Sequence, residues 1–282
     1  LTRLGFFLGF ILSCGFGGVF SMRRKTSSLL LSDGAIVGSQ PLSKVRSDAK
    51  YSFLPGSLQQ RPELACLVAQ IIGLDAATEH RLSLILVDVL RADPKTAIAM
   101  YHAVQSLEAR RYMLIAAANA RLPKNDQILF EAVIKAIRPS RRVRHAFAHH
   151  IWGVSPDLPD DLLLIDPEDL LRFDADAAEL NEKMRHAPEK ATLTRLDTSK
   201  IAVWRKDALE RAVKDAGNAL DTVSELEWSF HWDPKPPVTS INVATRQLLL
   251  SRPLVAAHDA ALRKENARQA QPQQPKKEKP SK

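Results

Sequence analysis

The chain has 282 residues, 40 Lys/Arg against 32 Asp/Glu, a formal net charge of +8 and 45% apolar residues. That apolar content is enough for a packed core, and the two cysteines, Cys14 and Cys66, exclude a disulfide framework and suit a reducing compartment. The basicity is uneven: residues 1–61 hold eight basic and two acidic groups, 263–282 seven and two, and the middle 25 and 28. A uniformly basic nucleic-acid-binding domain is therefore excluded. Within the middle, residues 101–150 carry nine basic and three acidic groups and 151–200 carry six and twelve, which allows one locally positive face.

Leu4–Phe20, "LGFFLGFILSCGFGGVF", is free of charge for seventeen residues, the lower limit for a membrane span. "RRK" at Arg23–Lys25 would hold the following chain on the cytoplasmic side. No A-x-A cleavage site follows, which argues against a signal peptide. Met22 lies just after the run, so residues 1–21 read equally as a membrane anchor or as a mis-called start. The folded domain is expected in the cytoplasm on either reading. Residues 22–61, rich in Ser and Gly, read as a flexible linker.

The domain is expected over 62–235. Pro62 opens a helix to about Arg91, with Leu67, Ile71, Leu74, Leu82, Leu86 and Val89 at helical spacing. Asp93 and Pro94 start a second helix over 94–121, with Tyr101, Val104, Leu107, Leu114 and Ala118 inward. Asn125 or Asp126 caps a third, whose buried stripe is Leu129, Val133 and Ala136. Pro139 kinks that helix or begins the next, which runs through Val143, Phe147 and Ile151 and stops at Gly153 and "SPDLPDD". "LLLI" at Leu162–Ile165 reads as one short strand, and 167–186 as a helix or surface excursion. Leu209, Val213, Ala216, Leu220, Val223 and Phe230 mark a helix over 204–230. A further helix is expected within 236–262, and 263–282 reads as a disordered basic tail. The expected fold is all-α: an antiparallel bundle of four to five helices, with at most one short strand or hairpin after the fourth helix.

The chemistry concentrates in Arg141–Gly153, "RRVRHAFAHHIWG", with three His and three Arg. His145 and His149, four apart, share a helix face in zinc-ligand geometry, but Ala146 stands where a zincin has its Glu. His102, His186 and His231 are not obviously placed as a third ligand, so no metal is expected. Metal-free RNA cleavage needs a proton-transfer group near neutral pKa and fixed positive charge on the phosphorane. Arg144 and His149 are the right types, although five residues on a helix separate them by about 140°. They would meet only in a cleft that a two-fold axis completes. A purely structural reading leaves Arg138, Arg141, Arg142 and Arg144 solvated or pairs them with the acidic residues of 157–182.

"RHAFAHHIWG" resembles the R-x4-6-H motif of the HEPN superfamily, small helical bundles of which many are metal-independent ribonucleases. Arg144 matches the Arg, His145 the polar position after it (often Asn), Ala148 the Ala and His149 the His. His150 stands where Gly is usual. The resemblance implies a homodimer with motif helices at its interface, RNA as substrate and no cofactor. Arg144 and His149 would be the catalytic pair, with His145 assisting. Arg138, Arg141 and Arg142 would then hold the RNA backbone. It also implies a setting in toxin–antitoxin or phage defence, with a cognate antitoxin as partner. Relatives that serve as non-catalytic dimerisation or RNA-binding modules supply the alternative, and residues 4–20 would add a membrane contact.

Overall fold

The computed structural model describes residues 38–186, 196–231 and 241–270. The chain is mostly helical, with one small four-stranded antiparallel sheet. In chain order the elements are β1 (Gln40–Pro41), α1 (Leu42–Val45), α2 (Pro62–Leu90), α3 (Pro94–Ala103), α4 (Leu107–Arg121), α5 (Lys124–Ala136) and α6 (Arg138–His149). Next come β2 (Ile151–Ser155), β3 (Leu158–Ile165), α7 (Pro167–His186), β4 (Ala202–Arg205), α8 (Lys206–His231), α9 (Val243–Ser251) and α10 (Pro253–Ala270).

The two long helices α2 and α8 share the most extensive contact and form the spine. Their buried residues divide between two apolar clusters. Leu82, Leu86, Val223 and Leu226 pack with α3, α4, α5, α9 and α10 around Tyr101, Leu114, Leu129 and Phe130. Leu64, Val68, Ile71 and Leu209 pack with α6 and one sheet face, through Val143, Phe147, Leu162, Leu164 and Trp204. The opposite sheet face, Leu163, Ile165 and Val203, joins Leu42 and Ile201, with Leu170 and Phe173 of α7 against it.

This two-sided burial explains "LLLI". Successive side chains on a strand point to opposite faces, so a strand covered on both sides has no polar alternation. All four residues are 0% exposed. Of the one short strand or hairpin expected after the fourth helix, the hairpin is present as β2 and β3, but it belongs to a four-stranded sheet in the order β1-β4-β3-β2, so the fold is not all-α. Leu163 pairs with Val203, and Trp152 with Leu164. β1 has two residues and β4 four, too few to display a period, and β4 leads straight into α8. Trp204 and Arg205 therefore read as the first residues of the helix expected over 204–230.

Three further boundaries depart from expectation, and at Pro139 one of two expected alternatives is realised. The helix expected over 94–121 breaks at Val104–Ser106, where the Ser106 hydroxyl accepts from the Ala109 N–H (3.3 Å) and caps α4. Asp126 is not a cap: α5 begins at Lys124, and the Asp126 carboxylate is buried, accepting from the Ile241 N–H (2.9 Å) and pairing with Arg246. Pro139 starts a new helix rather than kinking the old one, with Ile137 alone joining α5 to α6. The helix ends at His149, so Gly153 does not stop it, and "SPDLPDD" forms the β2–β3 turn and the start of β3.

The described part of the expected linker, 38–61, is packed. Leu42 is fully buried, Ala49 and Ser57 nearly so, and Ser52 bridges Val154 with backbone hydrogen bonds in both directions. Residues 22–37 and the apolar run 4–20 lie outside the described residues. Among those described, no helix is long and apolar enough to cross a membrane. The helix expected within 236–262 is two helices divided at Arg252, and α10 carries helix to Ala270, into the segment read as a tail. Residues 271–282 are outside the described residues.

Gly153 is required by close packing. A Cβ there would lie 2.5 Å from Phe53 Cδ1 and 2.8 Å from the Ser52 carbonyl oxygen, part of the backbone bridge. Gly153→Ala is expected to lower stability by about 1–3 kcal/mol through overpacking. A urea midpoint equal to that of the native chain would refute this.

Candidate functional site

Helix α6 buries Val143, Ala146 and Phe147 against α2, α8 and the sheet. Phe147 meets Trp204 edge-on at 4.7 Å and Trp152 at 5.5 Å, which fixes the helix's rotation. The opposite positions, His145 and His149, are exposed. Their ring centroids are 4.5 Å apart, one helical turn separating them.

The arginines divide into two groups. Arg141 and Arg144 turn toward α2, and their partners are Asp75 and Glu79 of that helix rather than the acidic residues of 157–182. Arg144 Nε lies 3.3 Å from Asp75 Oδ2, and Arg141 Nε 3.5 Å from Asp75 Oδ1. Arg141 Nη2 also pairs with Glu79 Oε1. Arg110 Nη1 takes the other Glu79 oxygen at 2.7 Å, and the Tyr101 hydroxyl donates to it at 3.2 Å. Arg138 and Arg142 form no ion pair among the described residues, although the Arg142 Nε is buried without a partner.

Exposure decides which arginine can meet a ligand. The Asp75 side chain is 4% exposed, Arg141 13% and Arg144 28%. Arg141, expected to touch an RNA backbone, is tied to two carboxylates inside the fold. Arg144 engages Asp75 through Nε, and among the described residues its two Nη groups have no partner. Three guanidiniums face two carboxylates, leaving surplus positive charge. Burial pushes the Asp75 carboxyl up, an effect that Arg141 and Arg144 partly offset.

His145 and His150 both titrate below the usual imidazole value. Loss of solvation is the main cause for each, only partial at His145 on its exposed helix face; His149, His150 and Arg144 add positive charge around His145. The neutral form of each ring is thereby favoured. His150 caps the end of α6, its backbone N–H donating to the Ala146 carbonyl at 2.8 Å. Its ring is 19% exposed, with Nε2 3.9 Å from Asp166 Oδ2 and Nδ1 buried without a partner. Asp166 also caps α7, accepting from the Glu168 N–H at 2.8 Å.

A pH dependence follows. The folded His150 refuses a proton that the unfolded chain accepts near pH 6.5. Stability is full above that pH and falls as pH drops from 6.5 through the lower folded value. His145 contributes in the same sense. Urea midpoints are expected to decline from pH 7.5 to 5, and His150→Gln to flatten the slope. An unchanged slope in that variant would refute the assignment.

Asp75 and Glu79 were not singled out in the sequence. The available signal was "DAATE", two acids at (i, i+4) inside the apolar stretch of α2. Among the described residues, no group of three His, Cys, Asp or Glu side chains is arranged to hold a metal ion. His102 lies on α3, and the side chains of His186 and His231 are outside the description. An open groove of about 390 Å³ between α6, α8 and α10 is lined by Ser140, Val143, Ala212 and Leu254, and reaches none of Arg144, His145 and His149.

No protein-family model, curated protein or solved structure matches the chain.

Proposed function

We propose that the protein is a metal-independent endoribonuclease of HEPN type, acting as a homodimer that joins Arg144 of one chain to His149 of the other. The observation that carries this reading is the end of α6. Among the described residues, Arg144 has two unpartnered Nη groups, and the same helix carries the histidine pair His145 and His149 on its exposed face. Guanidinium Nη groups donate two parallel hydrogen bonds to non-bridging phosphate oxygens and stabilise charge developing on the phosphorane. His149 removes the proton of a 2′-hydroxyl as its oxygen attacks phosphorus; the bond to the 5′-oxygen then breaks, and that oxygen takes the proton back from the imidazolium, leaving a 2′,3′-cyclic phosphate and a 5′-hydroxyl. His145, beside it, supports the proton transfer. Arg138 and Arg142 remain for the RNA backbone; Arg141 belongs to the fold. The reaction takes place in the cytoplasm, in toxin–antitoxin or phage-defence roles with a cognate antitoxin.

The test is incubation of RNA with the native chain in EDTA, beside Arg144→Ala and His149→Ala. Cleavage that survives chelation, leaves 2′,3′-cyclic phosphate ends and is lost in both variants supports the reading. Cleavage abolished by EDTA overturns it.

A second reading is a non-catalytic RNA-binding or dimerisation module. The Arg144–Asp75 ion pair favours it, since the same contact serves a purely structural role. A stable dimer in which neither native nor variant chains cut RNA would select it.

A further inference from the structure

We propose that Asp75 is a positioning residue for Arg144: by taking the Nε edge of the guanidinium, it presents the two Nη groups to a phosphodiester. This rests on Arg144 as the phosphate ligand in the reading above and extends that site to a second helix.

The fork of an arginine offers two edges. Arg144 Nε is buried 3.3 Å from Asp75 Oδ2, an ion pair without a hydrogen bond, which turns that edge toward α2. The other edge is the one that fits paired phosphate oxygens. Asp75 is itself fixed. Its side chain is 4% exposed, and its second oxygen lies 3.5 Å from Arg141 Nε. Arg141 is in turn held by Glu79, which Arg110 and Tyr101 also bind. The Asp75 carboxylate thus sits buried between two guanidiniums, and its ion pair with Arg144 exists without any ligand. A lysine at 144 offers one point charge and cannot serve a carboxylate and a phosphate on separate edges.

The experiment measures cleavage of native RNA and binding of a fully 2′-O-methylated RNA, which has no 2′-hydroxyl and cannot be cut. The chains compared are native, Asp75→Asn, Glu79→Gln, Arg144→Lys and Arg144→Ala, each first checked for a native far-UV spectrum and melting transition. Asp75→Asn is expected to lower kcat by about a hundredfold, the scale of a small displacement of a catalytic group. It should also weaken binding of the methylated RNA. Glu79→Gln, which disturbs the Arg141 half of the network, is expected to change both far less. Added guanidinium ion should restore part of the activity of Arg144→Ala but not of Arg144→Ala with Asp75→Asn.

Native rates and affinity in a folded Asp75→Asn chain would overturn the proposal, as would equal rescue with and without Asp75. The binding arm separates this proposal from the nuclease reading. If the native chain cuts nothing, yet Asp75→Asn and Arg144→Ala lose the same affinity, positioning stands and catalysis falls. If the native chain does not bind the methylated RNA, both fall.

Discussion

An equal mixture of Arg144→Ala and His149→Ala chains is expected to recover about a quarter of native RNA cleavage, although each variant alone is nearly inactive. Losing a proton-transfer group costs about 10²–10⁴-fold, and losing a preorganised charge donor about 10²–10³-fold. The recovery follows from helix geometry. Five residues turn α6 by about 140°, and Arg144 faces Asp75 on α2 while His149 faces solvent. A two-fold axis supplies the missing partner of each. Random exchange makes about half the dimers mixed, and each mixed dimer restores one of its two composite sites, leaving the other with both defects. Sedimentation would establish that dimers form and exchange. Exchange without recovery would place both residues of any active pair within one chain, and no loss in either single variant would remove both from the chemistry.

Trp204→Ala is expected to destabilise the fold by about 3–5 kcal/mol, the cost of truncating a buried aromatic. Trp204 is 0% exposed on β4 and contacts Phe147 of α6 edge-on at 4.7 Å. It belongs to the apolar cluster shared by α2, α6, α8 and the sheet, so the cavity would open beneath the motif helix. Its indole Nε1 is buried without a partner. Trp204→Phe removes that unsatisfied donor and keeps a ring, so it is expected to cost much less than the alanine. Urea denaturation of both variants provides the check. Equal losses would mean that ring packing contributes little at this position.

Much of the helical frame was legible in the sequence because long amphipathic helices repeat their signal. Pro62 and the apolar spacing to Val89 marked α2 almost to the residue, and Pro167–His186 emerged as a single helix. The break at Val104–Ser106 was not legible, since neither Gly nor Pro marks it and Ser106 alone carries the cap. The sheet was hidden for two reasons. Strands of two and four residues have no period, and a strand buried on both faces does not alternate. Asp126 resembled a cap by sequence position, but its partner, Arg246, lies more than a hundred residues away.

By itself, the sequence determined the amphipathic helices, their proline starts and the dense Arg/His run on one of them, because each depends on neighbours within a few residues. It also determined that His145 and His149 share a face, since a spacing of four closes one helical turn. Only the tertiary structure decided the fates of the arginines. Asp75 and Glu79 meet Arg141 and Arg144 across more than sixty residues of chain, and those contacts absorb Arg141 while leaving the outer edge of Arg144 open. It likewise placed His150 against Asp166, where burial rather than sequence lowers its proton affinity. The charge of a side chain is written locally; whether that charge is spent inside the fold or offered to a ligand depends on which distant carboxylate packing brings to it.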